Sequence, residues 1–487
     1  MISLRQLVLE ACPGSSDSSA LPDRIIKGIE CDSRKIEKDF LFVAIRGSRQ
    51  NGNEFIQQAL SRGAAAVVTD DPKETPKGAP VIIVPECRSA IANLASVFYG
   101  KPSRAMRLIG VTGTNGKTTS TYLIEHFLKE QNKNVGVIGT VNYRFGGKET
   151  PAKETTPGPL RIQQLLAEMR DARCEYVAME VSSHALDQNR VGGIDFEAAL
   201  FTNLTQDHLD YHKTLEAYFE CKSRLFSALS PEKLAILNAD DAWIEPLKKK
   251  LSSRVMTYGI KNHSEVKATG IEKKGPRTSF SVEYKGRKFP AESPLIGLHN
   301  VYNTLGALAV MAGLGFDMET AVRQLSSFPG VPGRLEAVNY GQNFLVFVDF
   351  AHTPDGLENV LSTLKPYQRN RLTVVFGCGG DRDSGKRPKM AAIAGRYCDF
   401  VYVTSDNPRS EDPKKIAEDV RRGFPGHFKN YAVILDRKKA IRQALLSARQ
   451  DDIVLLAGKG HETTQVLADQ TIPFSDRKEA ERVLNGY

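Results

Sequence analysis

No apolar run in the 487 residues reaches the roughly 18 needed to cross a bilayer, so no membrane partner is expected. The first residues lack a basic segment followed by a long apolar stretch, and no secretory signal is expected. Leu9-Glu10-Ala11-Cys12 faintly matches a lipoprotein cleavage site, but Glu10 and the missing apolar run oppose that reading. Paired cysteines are absent too. The seven cysteines (Cys12, Cys31, Cys87, Cys174, Cys221, Cys378, Cys398) stand singly, without a Cys-x-x-Cys. That pattern opposes a disulfide framework and suggests free thiols in a reducing compartment, hence a cytoplasmic location. The net charge of +9 includes no basic run longer than Lys248-Lys249-Lys250, and no zinc or recognition-helix signature accompanies it. Nucleic acid is therefore not an expected partner, and a small polyanionic substrate explains the bias equally well. Internal repeats and low-complexity segments are also missing.

What is present is ordinary globular composition, 41% hydrophobic and 25% charged, on a chain too long for one core. The pattern predicts an α/β protein of three domains: residues 1–100, 101–330 and 331–487. In the first, Leu41–Ile45, Ala64–Thr69 and Val81–Val84 look like strands, and Phe55–Leu60 and Ala90–Phe98 like helices. Lys101-Pro102-Ser103 reads as a hinge, and the Pro/Gly-dense Phe328–Arg334 as a linker. Beyond it, Leu345–Asp349, Leu372–Phe376, Phe400–Thr404, Ala432–Leu435 and Ile453–Leu456 are the expected strands of a Rossmann-like domain. Polar groups follow them: Asp349-Phe350-Ala351-His352, Gly379–Asp383, Asp406–Arg409 and Gly458–Glu462. In a parallel sheet such tips share the ligand-binding edge. His461-Glu462-Thr463-Thr464-Gln465 narrowly misses the zinc motif His-Glu-x-x-His, because Gln465 takes the second ligand position.

The middle domain opens on Leu108-Ile109-Gly110-Val111-Thr112-Gly113-Thr114-Asn115-Gly116-Lys117-Thr118-Thr119. An apolar run enters a glycine-punctuated loop and then a helical pattern. Glycines let backbone N–H groups turn toward an anion, the helix start favours negative charge, and Lys117 adds a cation. Thr118 or Thr119 offers a hydroxyl to a magnesium ion on the same phosphates. A strict P-loop has glycine where Val111 stands, so the loop is a variant of a P-loop-type sheet. Three polar clusters follow at apolar strand ends: Lys153–Pro157, Glu180–His184 and Leu200–His212. Glu180 and His208, read singly, are a partly buried polar residue and a loop histidine. Converging after one phosphate loop, they are equally candidates for metal ligands. Asn300 and Asn303 share a helix face at i and i+3, and Asn300 also suits an N-cap. Lys222 lies in a helical stretch and reads by itself as a surface charge. Composition alone makes Cys31–Arg34 and Gly47–Gly52 solvated turns.

Gly113–Thr119, Glu180-Val181-Ser182-Ser183-His184, His299-Asn300-Val301-Tyr302-Asn303 and Gly458-Lys459-Gly460-His461-Glu462 together resemble the Mur ligases, ATP-dependent amide-forming enzymes of peptidoglycan precursor synthesis. The resemblance runs end to end, and Asp406-Asn407-Pro408-Arg409 is similar to the signature of members that add meso-diaminopimelate to UDP-N-acetylmuramoyl-L-alanyl-D-glutamate. It implies a UDP-binding first domain, a central ATPase sheet and a C-terminal amino-acid domain, in a chain expected to be monomeric. By the same resemblance Cys31, Ser33, Ser48, Arg49 and Gln50 face the uridine nucleotide. Asn115, Thr155, Thr156, Ser182, Gln188 and Arg190 hold the muramoyl-peptide. Lys222 is implied to carry a carbamate that joins Thr118, Glu180 and His208 as magnesium ligands. Asn300, Asn303, Arg334, Asp349 and His352 are implied ATP contacts alongside Gly113–Thr119. Arg387, Asp406, Asn407, Pro408, Arg409, Gly458 and Glu462 are implied at the diaminopimelate site. The catalytic set is then Lys117, Lys222, His208 and Glu180. A lysine-adding Mur ligase and a folylpolyglutamate synthetase are the nearest alternatives, opposed by the N-terminal domain and Asp406–Arg409. A P-loop switch or kinase is a more distant one, weakened by Val111.

Overall fold

Short runs of Val, Ile, Leu and Ala, too brief for helices and buried on both faces, build three parallel-rich sheets. The structure, a computed structural model, describes residues 2–15, 21, 23–47, 50–74, 76 and 78–486. The N-terminal sheet runs in the order β1 (Gly28–Glu30), β2 (Phe40–Val43), β3 (Ala66–Thr69), β4 (Val81–Ile83), all parallel. Leu41 and Val43 face helices Leu4–Ala11 and Cys87–Phe98, while Phe42 and Val67 pack on Ile56 and Ala59. Alternation along β2 thus fills a core on each face. Strand β1 carried no apolar signal of its own. It pairs because Gly28 leaves room for the Phe40 ring, which would sit 2.6 Å from an added Cβ.

The central sheet is built on β5 (Arg107–Thr112), followed by α1 (Lys117–Glu130), β6 (Val135–Ile138), the hairpin β7 (Asn142–Phe145) and β8 (Lys148–Pro151), β9 (Tyr176–Glu180), β10 (Phe196–Phe201), α2 (Leu215–Ser227), β11 (Leu234–Asn238) and β12 (Arg254–Gly259). These eight strands lie in the order β8-β7-β6-β9-β5-β10-β11-β12, parallel except for the hairpin. Strand β5 sits between β9 and β10, so the loops after these three strands leave the same sheet edge side by side.

Residues 1–267 with 302–321 pack as one compact unit, and residues 268–301 with 322–487 as another. Helix α3 (Leu298–Gly313) begins in the second and continues in the first. Residues 268–301 join the second because Ile296 enters the core around Phe347, Leu357 and Phe376, and the Gly297 N–H donates to the Tyr367 hydroxyl at 3.3 Å. The second unit's main sheet has the order β13 (Glu336–Ala337), β14 (Leu345–Asp349), β18 (Ile453–Ala457), β15 (Leu372–Phe376), β16 (Phe400–Val403), β17 (Tyr431–Val433). Only β13 is antiparallel. Among the described residues no helix is long and apolar enough to cross a membrane.

Candidate active site

The loop between β5 and α1 is held from the side by the chain that follows β10. The Thr114 N–H donates to the Asn203 carbonyl (2.8 Å) and the Asn115 N–H to Asn203 Oδ1 (3.0 Å). Thr202 Oγ1 donates to the Asn115 carbonyl at 2.6 Å. Two glycines make this approach possible. An added Cβ at Gly113 (φ +145°) would lie 1.9 Å from Thr202 Oγ1, and at Gly116 (φ +85°) 2.2 Å from Asn303 Oδ1. Gly116 caps α1 without a side-chain bond, so the helix start keeps N–H groups for an anion.

Two lysine amines converge on this loop. Lys117 Nζ donates to the Gly113 and Thr114 carbonyls at 2.8 Å each, and Lys222 Nζ to the same Gly113 oxygen at 2.9 Å. Lys222 comes from α2, is 1% exposed, and has the Tyr218 ring 4.5 Å from its amine. Among the described residues no carboxylate forms an ion pair with it. Burial first, then Lys117, hold its pKa well below the ordinary lysine value.

Glu180, at the end of β9, is likewise buried, and its partners are neutral. Oε2 accepts from Thr118 Oγ1 (3.0 Å) and Thr140 Oγ1 (2.9 Å), and Oε1 from the Thr140 N–H (2.8 Å). A carboxyl group beside a phosphate-loop hydroxyl, with no ion pair among the described residues, is a donor set that fits magnesium. No three His, Cys, Asp or Glu side chains cluster as metal ligands among the described residues. Glu180 and Thr118 meet each other directly, and Lys222 meets Lys117 on the Gly113 carbonyl. His208 is half exposed, 3.6 Å from Asp207, its ring 5.0 Å from His184 and 6.3 Å from Tyr218. Thr140 had no motif of its own. Its only trace was a glycine before it, and a Cβ on Gly139 would meet Glu180 Oε1 at 2.4 Å.

Of the six residues implied for the muramoyl-peptide, Asn115 stands apart on Thr202 and Asn203, and the other five form one hydrogen-bonded group through Thr140 and Glu180. Thr156 Oγ1 donates to the Glu180 carbonyl (2.8 Å) and accepts from the Ser182 N–H (3.0 Å). Thr155 Oγ1 lies 3.1 Å from Thr140 Oγ1. Arg190 donates to the Thr156 carbonyl (2.8 Å) and to Gln188 Oε1 (2.9 Å), and pairs with Glu154. In the N-terminal sheet, Cys31 and Gln50 are exposed, and Ser33 Oγ donates to Gln58 Oε1 at 2.6 Å. Ser48 and Arg49 lie outside the described residues.

In the second unit, Asn300 is buried and donates to the Ile296 carbonyl at 2.8 Å. The Arg334 guanidinium lies 5.5 Å from the Phe350 ring centre. Asp349 accepts from the Leu335 (2.7 Å) and Ala351 (2.8 Å) N–H groups; burial pushes its carboxyl above the ordinary range, opposed by Arg334. His352 Nδ1 lies 2.9 Å from the Phe350 carbonyl.

The loops after β15, β16 and β18 interlock. A Cβ on Gly380 would fall 1.9 Å from the Pro408 carbonyl, so the first loop lies flat on Asp406–Arg409. Arg409, at φ +51°, donates to the Gly380 carbonyl (2.7 Å) and has no carboxylate partner among the described residues. Arg387 is different. It is 3% exposed and already bridges Glu411 (2.8 Å) and Asp419 (3.0 Å). Asn407 donates to Glu462 at 3.0 Å, and Gly458 (φ +113°) turns the chain out of β18 toward them.

The Mur ligase family catalytic domain pattern matches residues 25–99, the Mur ligase middle domain 111–311, and the Mur ligase glutamate ligase domain 333–460. With three sheets in that order and a phosphate loop on the second, the chain belongs to the Mur ligase family. It is 45% identical over 458 residues, 93% of each chain, to UDP-N-acetylmuramoyl-L-alanyl-D-glutamate–2,6-diaminopimelate ligase of Geobacillus thermodenitrificans. The protein of the same name from Bacillus velezensis is 46% identical over 469 residues, 95% of each chain. A solved structure bearing that name matches with a TM-score of 0.71 at 35% identity, over 95% of each chain.

Proposed function

We propose that the chain is an ATP-dependent acid–amino-acid ligase that joins meso-diaminopimelate to the D-glutamate γ-carboxylate of UDP-N-acetylmuramoyl-L-alanyl-D-glutamate. It works as a cytoplasmic monomer in peptidoglycan precursor synthesis. Residues 1–100 hold the uridine nucleotide, residues 101–330 the ATP and muramoyl-peptide, and residues 331–487 the incoming amino acid. The observation carrying the choice of amino acid is the state of the interlocked loops. Arg409 keeps a guanidinium without an ion pair among the described residues, and two residues before it Asn407 bonds Glu462, a carboxylate that is one-third exposed. One spare cation and one accessible anion suit the carboxylate and ammonium at the far end of diaminopimelate. Lysine would leave the arginine unpaired.

A carboxylate oxygen is a poor leaving group, so the γ-carboxylate first attacks the γ-phosphorus of ATP and ADP departs. The diaminopimelate amine then attacks the acyl phosphate carbonyl, and inorganic phosphate leaves. Lys117 exchanges its two backbone carbonyls for phosphate oxygens and meets the charge that moves between them. The N–H groups at the start of α1 hold the β- and γ-phosphates in line. Thr118, Glu180 and His208 would hold magnesium, which neutralises phosphate charge when bound. Lys222, dry and with its pKa held well below the ordinary lysine value, favours the amine form that adds carbon dioxide. Addition would form an N–C bond and release a proton, and the carbamate would supply anionic oxygens for the magnesium. Asn300, Asn303, Arg334, Asp349 and His352 complete the nucleotide contacts.

The test is ADP release with the UDP-linked dipeptide and either meso-diaminopimelate or L-lysine. The reading expects turnover with the first and little with the second. Equal turnover with lysine would overturn the choice of amino acid.

A further inference from the structure

Lys459 has no exposed surface, and the reaction outlined above does not use it. Burial of an ammonium is unfavourable unless its charge is paired, and here the pairing is specific. Nζ lies 2.7 Å from Glu462 Oε2, 3.1 Å from Asn407 Oδ1 and 3.5 Å from Asp406 Oδ1. These three partners come from the loops after β16 and β18. Asn407 Oδ1 accepts a second bond, from the Val466 N–H at 2.9 Å. With donors on both sides of Oδ1, the amide can sit only one way round, and its Nδ2 is turned to Glu462 Oε2 at 3.0 Å. Glu462 Oε2 is thus pinned by two donors, while Oε1 has no partner among the described residues and Glu462 stays one-third exposed.

We propose that Lys459 is a positioning residue for amino-acid recognition. From beneath the site it orients the Asn407 amide and the Glu462 carboxylate, so that a donor and a carboxylate oxygen face the zwitterionic end of the bound amino acid. It touches no substrate. Without its charge, Glu462 and Asp406 repel each other across a dry space, and Glu462 swings to solvent. This role rests on the ligase reading and sharpens where that reading gets its selectivity.

The experiment measures KM for diaminopimelate, ATP and the UDP-linked dipeptide by ADP release, using the full chain. Wild type, Lys459→Met, Glu462→Gln and the double variant are compared. Lys459→Met is expected to raise KM for diaminopimelate about tenfold or more, with the other two KM values changed less than about twofold. The double variant should lose clearly less than the two single losses combined, because Lys459 acts largely through Glu462. A rise shared by all three substrates, no rise, or additive losses in the double variant would overturn the role. If Lys459→Met lacks a cooperative melt, Lys459→Gln, which keeps a donor without the charge, replaces it under the same outcomes. A wild type inert toward diaminopimelate refutes the ligase reading. A wild type active on it, with an unchanged Lys459 variant, refutes only the positioning role.

Discussion

Lys222 and Lys459 are both sealed from solvent, yet they keep opposite company. Around Lys222 and the phosphate loop, the partners are a backbone carbonyl, an aromatic ring and another lysine, while Glu180 is bonded only to hydroxyls and an N–H. Charges there are left unbalanced. Around Lys459 the buried charges are closed on neighbours, leaving Arg409 and Glu462 Oε1 open at the surface, and beneath it the fully buried Arg437 forks Asp476 at 2.6 and 2.7 Å and donates to the Ala457 carbonyl. Arg387 is spent on Glu411 and Asp419 in the same way. The first region is incomplete until polyanions and a cation arrive, which is how preorganised sites bind charge that develops in a reaction. The second has its buried charges paired in advance, so that only Arg409 and Glu462 stay open, which suits choosing between two amino acids of similar size.

The largest effect expected on the closed region is from Arg437→Met. It strands Asp476 in a dry core and should cost about 3–5 kcal/mol in denaturant unfolding. A loss below about 1 kcal/mol would mean that the pair is not the foundation under these loops. In the open region, Lys222→Met should lower kcat about 10²- to 10³-fold, with partial rescue of Lys222→Ala by a short-chain carboxylic acid. The sign for stability is opposite. Because the folded-state pKa of Lys222 is depressed, the unfolded chain binds more protons from that depressed value up to the ordinary lysine range, and the lysine destabilises the fold at neutral pH. In carbon dioxide-free buffer Lys222→Met should therefore melt higher than wild type. A lower melting temperature would show that Lys222 is compensated after all.

Arg409→Lys should be next in size. A point charge replaces a fork, and KM for diaminopimelate should rise about 10- to 30-fold with KM for ATP unchanged. Matching losses for ATP would blur the contrast between the two regions. The smallest effect is on pH dependence. Burial lowers His212, and burial together with His208 lowers His184, both beside the open region. Their contribution to stability is present above the ordinary histidine value and is lost as pH falls from it, because the unfolded chain then binds more protons. Melting scans from pH 8 to pH 5 should show the decline. His184→Gln with His212→Gln should flatten it.

The sequence by itself determined the elements whose signals are local. Strands Leu345–Asp349 and Leu372–Phe376 have the bounds their apolar runs announced, and Gly113–Thr119 forms the strand–loop–helix that its glycines require. Motif resemblance likewise marked Glu180, Lys222 and Asp406–Arg409, and pointed to the family to which the chain belongs. What only the tertiary structure decided is who meets whom. Thr118 meets Glu180 across 62 residues, and Lys222 meets Gly113 across 109. The turning of the Asn407 amide by Lys459 spans 52. Lys222 reads as a surface charge in its own helix, and its pKa falls only because α2 buries it against the phosphate loop. Lys459 stood inside a quoted motif with no role, because its three partners come from two loops. Apolar runs and glycines act on their immediate neighbours and survive in the linear order. Desolvation and the pairing of buried charges depend on what the folded chain stacks around a group, which the linear order does not hold.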